Sequence, residues 1–303
     1  MIALARAQRP NVLFGYDGTE ENDLALRWAV EETRLRGLDL MMCYCWRWPY
    51  PEGHVDHDVQ AIVQRAGENL LQDGARRARA LGAAGRVHTR LRPEPASDAL
   101  ARESDDAELI VVGSHERHRL LDVSTAVQLP ARTHRPVVAV RGSDGPHGLV
   151  VAGVDGSEAA DAALGFAIEE AALRDIDLRV VHGAWEPGAV PEHELSLFTD
   201  ETKLLGTRAA MLEKAVHPWR HRYPQVRVRV SPLLERPREA LLAAAEDADL
   251  LVVGDRGTGG VDPLLLGATS SAMLHHAPCA VAIVPPPRGD RAEARGSHPR
   301  RTR

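Results

Sequence analysis

Lysine is almost missing from this chain: Lys203 and Lys214 stand alone among 37 lysines and arginines. A G+C-rich coding sequence explains that bias more simply than a functional need for guanidinium. Because no Gly-Lys dipeptide occurs, a Walker A loop, whose lysine reaches the β- and γ-phosphates, is excluded. Cysteine is scarce too, and 3 residues in 303 are too few for a disulfide framework. No apolar run approaches the ~20 residues of a membrane helix. Arg6 and Arg9 interrupt the stretch where a signal peptide would need its apolar core. A basic balance is also absent, and a net charge of −6 argues against a general nucleic-acid binder. These absences lead us to expect a cytoplasmic chain without membrane or nucleic-acid partners. What is present is ordinary: 44% hydrophobic and 26% charged residues, enough to build a core in each of two domains.

The chain repeats itself. Residues 12–40, VLFGYDGTEENDLALRWAVEETRLRGLDL, return from Val150 as VVAGVDGSEAADAALGFAIEEAALRDIDL. A shift of 138 places Gly15 on Gly153, Asp17 on Asp155, Gly18 on Gly156, Glu31-Glu32 on Glu169-Glu170 and Leu35-Arg36 on Leu173-Arg174. A second block, AELIVVGS from Ala107, matches ADLLVVGD from Ala248. Internal duplication at this scale sets the domain count. We expect domain 1 at residues 1–142, domain 2 at 147–285, and a disordered Arg-rich tail at 286–303.

Within each copy, buried-type apolar runs alternate with amphipathic stretches. In the second, strands are expected at Val150–Val154, Leu178–Ala184, Val226–Ser231, Leu250–Gly254 and Ala280–Val284. Helices are expected from the Ser157 N-cap to about Arg174, within Leu197–His221, over Arg238–Glu246 and from about Gly267. The first copy reads likewise, with strands near 12–16, 40–45, 86–91, 108–113 and 137–141. Such alternation specifies an α/β fold of two tandem, doubly wound, five-stranded parallel-sheet domains, Rossmann-like in type. The fifth strands, Val137–Arg141 and Ala280–Val284, would leave apolar edges bare, so edge-to-edge pairing of the two domains is expected. A homodimer is the expected assembly, since two-fold assemblies are commonest.

Ligands of such sheets bind beyond the carboxyl ends of the strands, where the strand order reverses. Two loops of the second copy fall there. One is Gly153-Val154-Asp155-Gly156-Ser157, which sets a carboxylate at the tip of the first strand. The other runs from Gly254 through Arg256, Gly257 and Thr258 to Gly267-Ala268-Thr269-Ser270. Glycines permit close backbone approach, and a helix beginning near Gly267 offers N–H groups and a positive dipole end to an anion. A carboxylate facing a phosphate cradle suits a nucleoside phosphate, although glycine-rich turns also occur without ligands.

These residues resemble the universal stress protein family. Its nucleotide motif, G-x2-G-x9-G-(S/T), is matched by Gly254-x2-Gly257-x9-Gly267, and Val180-Val181-His182 and the closing His275–Val284 segment are similar as well. The likeness covers residues 11–284. It implies an ATP site, with Mg2+ as accompanying ion: Asp155 facing adenine, the backbone of His182 and Gly183 completing the pocket, and Gly254 under the ribose. Gly257, Gly267 and the N–H of Ala268 would hold phosphates, Arg256 would offset their charge, and Thr269 would lend a hydroxyl. Ala268 departs from the motif, forgoing a hydrogen bond worth ~0.5–1.5 kcal/mol. The resemblance further implies a stress or dormancy regulator, not an enzyme, read by a downstream protein partner the sequence does not identify. The rival readings are a slow ATP hydrolase and a scaffold that binds no nucleotide.

The first copy keeps Asp17 but follows Gly113 with Ser114-His115-Glu116-Arg117-His118-Arg119. Glu116 stands where the second glycine belongs, Val123 or a neighbour replaces the third, and only Ser124-Thr125 keeps hydroxyls. A carboxylate there repels phosphate, so the first domain is expected to be a structural partner and the stoichiometry one ATP per chain. His54, Asp56, His57 and Asp58 lack a second ligand group, so a solvated loop outweighs a metal centre. Cys43 and Cys45, on a buried strand, and Cys279, before the last strand, read as small apolar residues. His275-His276 reads as a helix end facing the dipole.

Overall fold

A computed structural model of the chain describes residues 10–46, 57–114, 124–142, 146–184, 201–258 and 265–287. Domain 1 contains β1 (Asn11–Gly15), α1 (Asp23–Arg36), β2 (Asp39–Cys45), α2 (His57–Ala80), β3 (Val87–Arg92), α3 (Ala96–Glu103), β4 (Ala107–Gly113), α4 (Thr125–Gln128) and β5 (Val137–Val140). Domain 2 contains β6 (Leu149–Gly153), α5 (Glu158–Arg174), β7 (Asp177–Gly183), α6 (Glu201–Arg222), β8 (Val228–Leu233), α7 (Pro237–Ala245), β9 (Leu250–Gly254), α8 (Ala268–His276) and β10 (Ala280–Val284). Among the described residues no helix is long and apolar enough to cross a membrane.

All ten strands join one sheet in the order β3-β2-β1-β4-β5-β10-β9-β6-β7-β8. Pairing is parallel within each domain, and the domains meet where β10 runs antiparallel to β5, with Ala282 opposite Val138. The apolar edges of both fifth strands are thereby covered: Val137–Val140 and Ala280–Val284 are buried throughout. An antiparallel junction of equivalent strands makes the halves related by an approximate two-fold axis. Helices cover both faces of the sheet, burying Phe14, Leu26 and Leu164 on one and Leu13, Leu100 and Leu129 on the other.

Element ends differ from expectation where local chemistry intervenes. Strand β8 begins at Val228, not Val226, because the Val226 N–H is held by the Tyr223 carbonyl in the turn after α6. It continues through Pro232, which the expected end at Ser231 left out. Proline lacks the ladder donor, yet β8 is the outer strand, where one unbonded side is tolerated. In domain 1 the last helix is a single turn, α4, followed by a 3-10 turn, Leu129–Ala131, that contains Pro130. Residues 197–200 of the expected long helix, and the tail beyond Pro287, lie outside the described residues.

Candidate functional site

In domain 2 the strand order reverses between β6 and β9, so the crevice lies at their carboxyl ends. Asp155 follows β6 there. Its backbone turn needs Gly156, whose φ of 86° is left-handed. One carboxylate oxygen, Oδ1, accepts the Ser157 N–H at 3.0 Å. Ser157 then caps α5, its Oγ accepting the Ala160 N–H at 3.2 Å. The second oxygen, Oδ2, accepts the N–H of Thr258 from the opposite loop at 3.1 Å. Asp155 and the glycine loop are therefore in direct contact.

The expected site residues fall into two groups. Several glycines are demanded by packing. A Cβ on Gly254 would come within 2.8 Å of Ala159 on α5, and one on Gly183 within 2.5 Å of the Pro237 backbone. Gly257 answers to the site itself, since a Cβ there would lie 2.5 Å from Asp155 Oδ2. Gly267 caps α8, and its N–H donates to the Asp255 carbonyl at 2.9 Å. Ala268 is exposed and Thr269 half-buried in the first turn of α8, where the leading N–H groups have no partner inside the helix. The Ser270 hydroxyl is committed elsewhere, donating to the Gly254 carbonyl at 2.7 Å. Arg256 borders the crevice and contacts Asp255 Oδ2 at 3.2 Å.

His182 is half-buried at the end of β7, and its Nδ1 lies 2.8 Å from the Val154 carbonyl. A carbonyl only accepts, so Nδ1 carries the proton and Nε2 is left as an acceptor. Burial, aided by the charge of Arg208, lowers the His182 pKa and keeps the ring neutral near pH 7. Sequence reading missed Arg208, although it stands in the stripe Leu204–Arg208–Leu212–Val216, whose apolar members are buried. It also passed over Asp255, a buried acid that ties the loop to both β10 and α8 through its backbone. A cavity of about 280 Å³, lined by His134, Arg135, Pro136, Ala162 and Pro285–Pro287, lies at the domain seam and not at this crevice.

In domain 1 the counterpart Asp17 makes the same local turn as Asp155, its Oδ1 accepting from Thr19 N at 2.9 Å and Thr19 Oγ1 at 2.8 Å. Residues 115–123, including His115, Glu116, Arg117, His118, Arg119 and Val123, lie outside the described residues, as do His54 and Asp56. The helix that follows is four residues long, against nine for α8, so it aligns fewer peptide dipoles on its crevice. Among the described residues no group of three or more His, Cys, Asp and Glu side chains is arranged to hold a metal ion. The three cysteines are free thiols, Cys43 and Cys279 buried and Cys45 partly so.

Two doubly wound α/β domains, each with its crevice at a strand-order switch point, define a tandem Rossmann-like α/β protein. The universal stress protein family model matches twice, at residues 9–141 and 148–285, and the chain belongs to that family. It is 30% identical to a universal stress protein of Mycolicibacterium smegmatis, over 91% of this chain and 97% of the relative. A universal stress protein of Mycobacterium tuberculosis is also 30% identical, over 89% of this chain and 95% of its own length. The fold superposes on a universal stress protein structure from Archaeoglobus fulgidus with a TM-score of 0.70 at 18% identity, covering 94% of this chain and 99% of that one.

Proposed function

We propose that domain 2 binds ATP and that the chain is a nucleotide-dependent stress or dormancy regulator, one ATP per chain, rather than an enzyme. The observation that carries this reading is the meeting of Asp155 with the Gly257–Thr258 loop across the switch point, beside the first turn of α8. In this reading the Asp155 carboxylate accepts the adenine amine, and His182 and Gly183 border the base. Gly254 underlies the ribose. The N–H groups of Ala268 and Thr269 hold phosphate oxygens at the helix N-terminus, and Arg256 offsets their charge. Mg2+ would ride on the phosphates and not in a protein cage. Because Thr258 already occupies Asp155, entry of the base must compete with that contact, and loop 257–258 is where binding would be felt by a partner protein.

A second reading has one observation in its favour. The carboxylate of Asp155 is already used by two backbone N–H groups, as it would be in a domain that only scaffolds. Chromatography of nucleotide released from the purified, heat-denatured chain separates the two. Stoichiometric adenine nucleotide supports binding; none released, together with no heat on titration with Mg-ATP, supports the scaffold. Release of ADP from a protein supplied only with ATP would favour slow hydrolysis.

A further inference from the structure

Helix α8 is held at both ends, and the hold on its far end comes from the other domain. Its first turn is pinned within domain 2: the Gly267 N–H donates to the Asp255 carbonyl at 2.9 Å, and the Ser270 hydroxyl to the Gly254 carbonyl at 2.7 Å. The last carbonyls of a helix have no partner inside it. In α8 two of them are met by one half-buried side chain across the seam, Arg141, which follows β5. One terminal nitrogen of Arg141 donates to the Ala277 carbonyl at 2.7 Å, and the other donates to the Leu274 carbonyl.

The guanidinium suits this place. A cation at a helix C-terminus complements the dipole, and a planar fork serves two carbonyls at once. The fork is itself anchored, because the nitrogen on Leu274 also donates to Ser114 Oγ at 2.9 Å, where β4 ends. Ser114 in turn donates its N–H to the Val140 carbonyl on β5 at 2.9 Å. The end of α8 is thus tied to the sheet of domain 1.

The arrangement is one-sided. Val138 and Ala282 face each other at the two-fold axis, so Arg141 and Pro285, each three residues further along, occupy equivalent places. Pro285 has no donor to offer, and it lines the seam cavity of about 280 Å³. Domain 1 supports the helix of domain 2 from this position and receives no such support in return.

Nine residues at ~1.5 Å each make α8 a rod of ~13 Å. A rod this short moves as a unit, so the aim of the Ala268 and Thr269 N–H groups depends on where the Leu274–Ala277 end is held. A helix fixed beforehand spares its ligand the cost of ordering it. We propose that Arg141 is a positioning residue for nucleotide phosphates, supplied by domain 1, and that the phosphate side of the domain 2 crevice is incomplete without it. This rests on the nucleotide reading above and gives domain 1 a task that needs no ligand of its own.

Calorimetry on the full-length chain tests it with Mg-ATP and adenosine, which share the base and differ in the phosphates. Arg141→Gln should weaken ATP roughly 5-fold and leave adenosine unchanged. Arg141→Lys, which keeps the charge and loses the fork, should recover part of the loss. A wild-type measurement guards against a variant that fails to fold: ATP, and not adenosine, should slow amide exchange at Ala277, whose N–H closes the last turn of α8 on Met273. Wild type that takes up no ATP overturns the nucleotide reading and this proposal together. Wild type that binds ATP, with Arg141→Gln binding it equally or with Ala277 exchange unaltered, overturns this proposal alone. Equal loss of ATP and adenosine overturns it too, since the arginine would then hold the seam and not aim the helix.

Discussion

Arg36 of domain 1 donates to Glu170 of domain 2, and Arg174 returns the same bond to Glu32. Each arginine also bonds the glutamate one turn back on its own helix, Arg36 to Glu32 at 2.8 Å and Arg174 to Glu170 at 2.5 Å. Both carboxylates are fully buried, and the guanidiniums lie over aromatic rings of the opposite domain, Arg36 above Phe166 and Arg174 above Trp28. The quartet sits where α1 meets α5, on the approximate two-fold axis created by the β5–β10 junction.

Removing one member strands a buried charge, which typically costs ~3–5 kcal/mol. Glu170→Ala is therefore expected to lower unfolding stability by about 3 kcal/mol in urea titration. Arg36→Lys should also lose stability, because one ammonium cannot serve Glu32 and Glu170 in plane. A Glu170→Ala protein as stable as wild type would mean that the cluster is solvated and idle.

The same cluster gives stability a pH dependence. Burial, and then the neighbouring Glu32 carboxylate, raise the Glu170 pKa from 4.5 to about 7. A raised folded-state pKa means that the folded chain holds this proton more tightly than the unfolded chain. That contribution is complete below about pH 4.5 and is lost as pH rises toward 7. Glu170→Gln keeps the shape without the titration. The stability of wild type minus that of the variant should fall between pH 5 and 7, on the order of 1–3 kcal/mol. Parallel pH profiles would show that Glu170 does not titrate in this window.

The quartet shows what the sequence exposes and what it conceals. Glu32 on Glu170 and Arg36 on Arg174 are visible in the 138-residue repeat, but nothing in the repeat says that these positions touch. Only the two-fold axis does, because a residue near such an axis must meet its own counterpart. The strands were legible from their buried runs, and the domain junction from two apolar edges in need of cover. The glycines were legible as a motif and opaque as physics: Gly183 and Gly254 make room for Pro237 and Ala159, contacts distant in sequence. Arg208 escaped because a cation in an apolar stripe looks like an interruption until His182 is placed beside it.

Asp155→Ala should weaken ATP binding at least tenfold in calorimetry while leaving the sheet intact. Its carboxylate accepts the N–H groups of Ser157 and Thr258, so the variant should also loosen loop 257–258, seen as faster amide exchange at Thr258. Unchanged ATP affinity would remove adenine recognition from this residue.

Ala268→Ser places a hydroxyl in the first turn of α8, where the family motif has Ser or Thr. Ala268 is exposed, so the extra atom meets no packing obstacle. One further hydrogen bond to phosphate, ~0.5–1.5 kcal/mol, should tighten ATP roughly 2- to 10-fold without affecting adenosine. Weaker binding would show that the phosphates lie elsewhere.

The stoichiometry should be one ATP per chain. Both domains keep the first-strand aspartate, so base recognition alone would give two sites, and the phosphate side must decide. In domain 2, Gly257 comes against Asp155 Oδ2 and a nine-residue helix begins just beyond the loop. In domain 1, Glu116 stands in the place of that glycine, and the helix is a single turn. Gly257→Glu transplants the first arrangement into the second. The new Cβ would lie 2.5 Å from the Asp155 carboxylate, and the new charge would face both that carboxylate and the phosphates. Calorimetry on wild type should give a single site, and Gly257→Glu should abolish it. Two equivalent sites in wild type, or an unaltered isotherm in the variant, would overturn the assignment to domain 2.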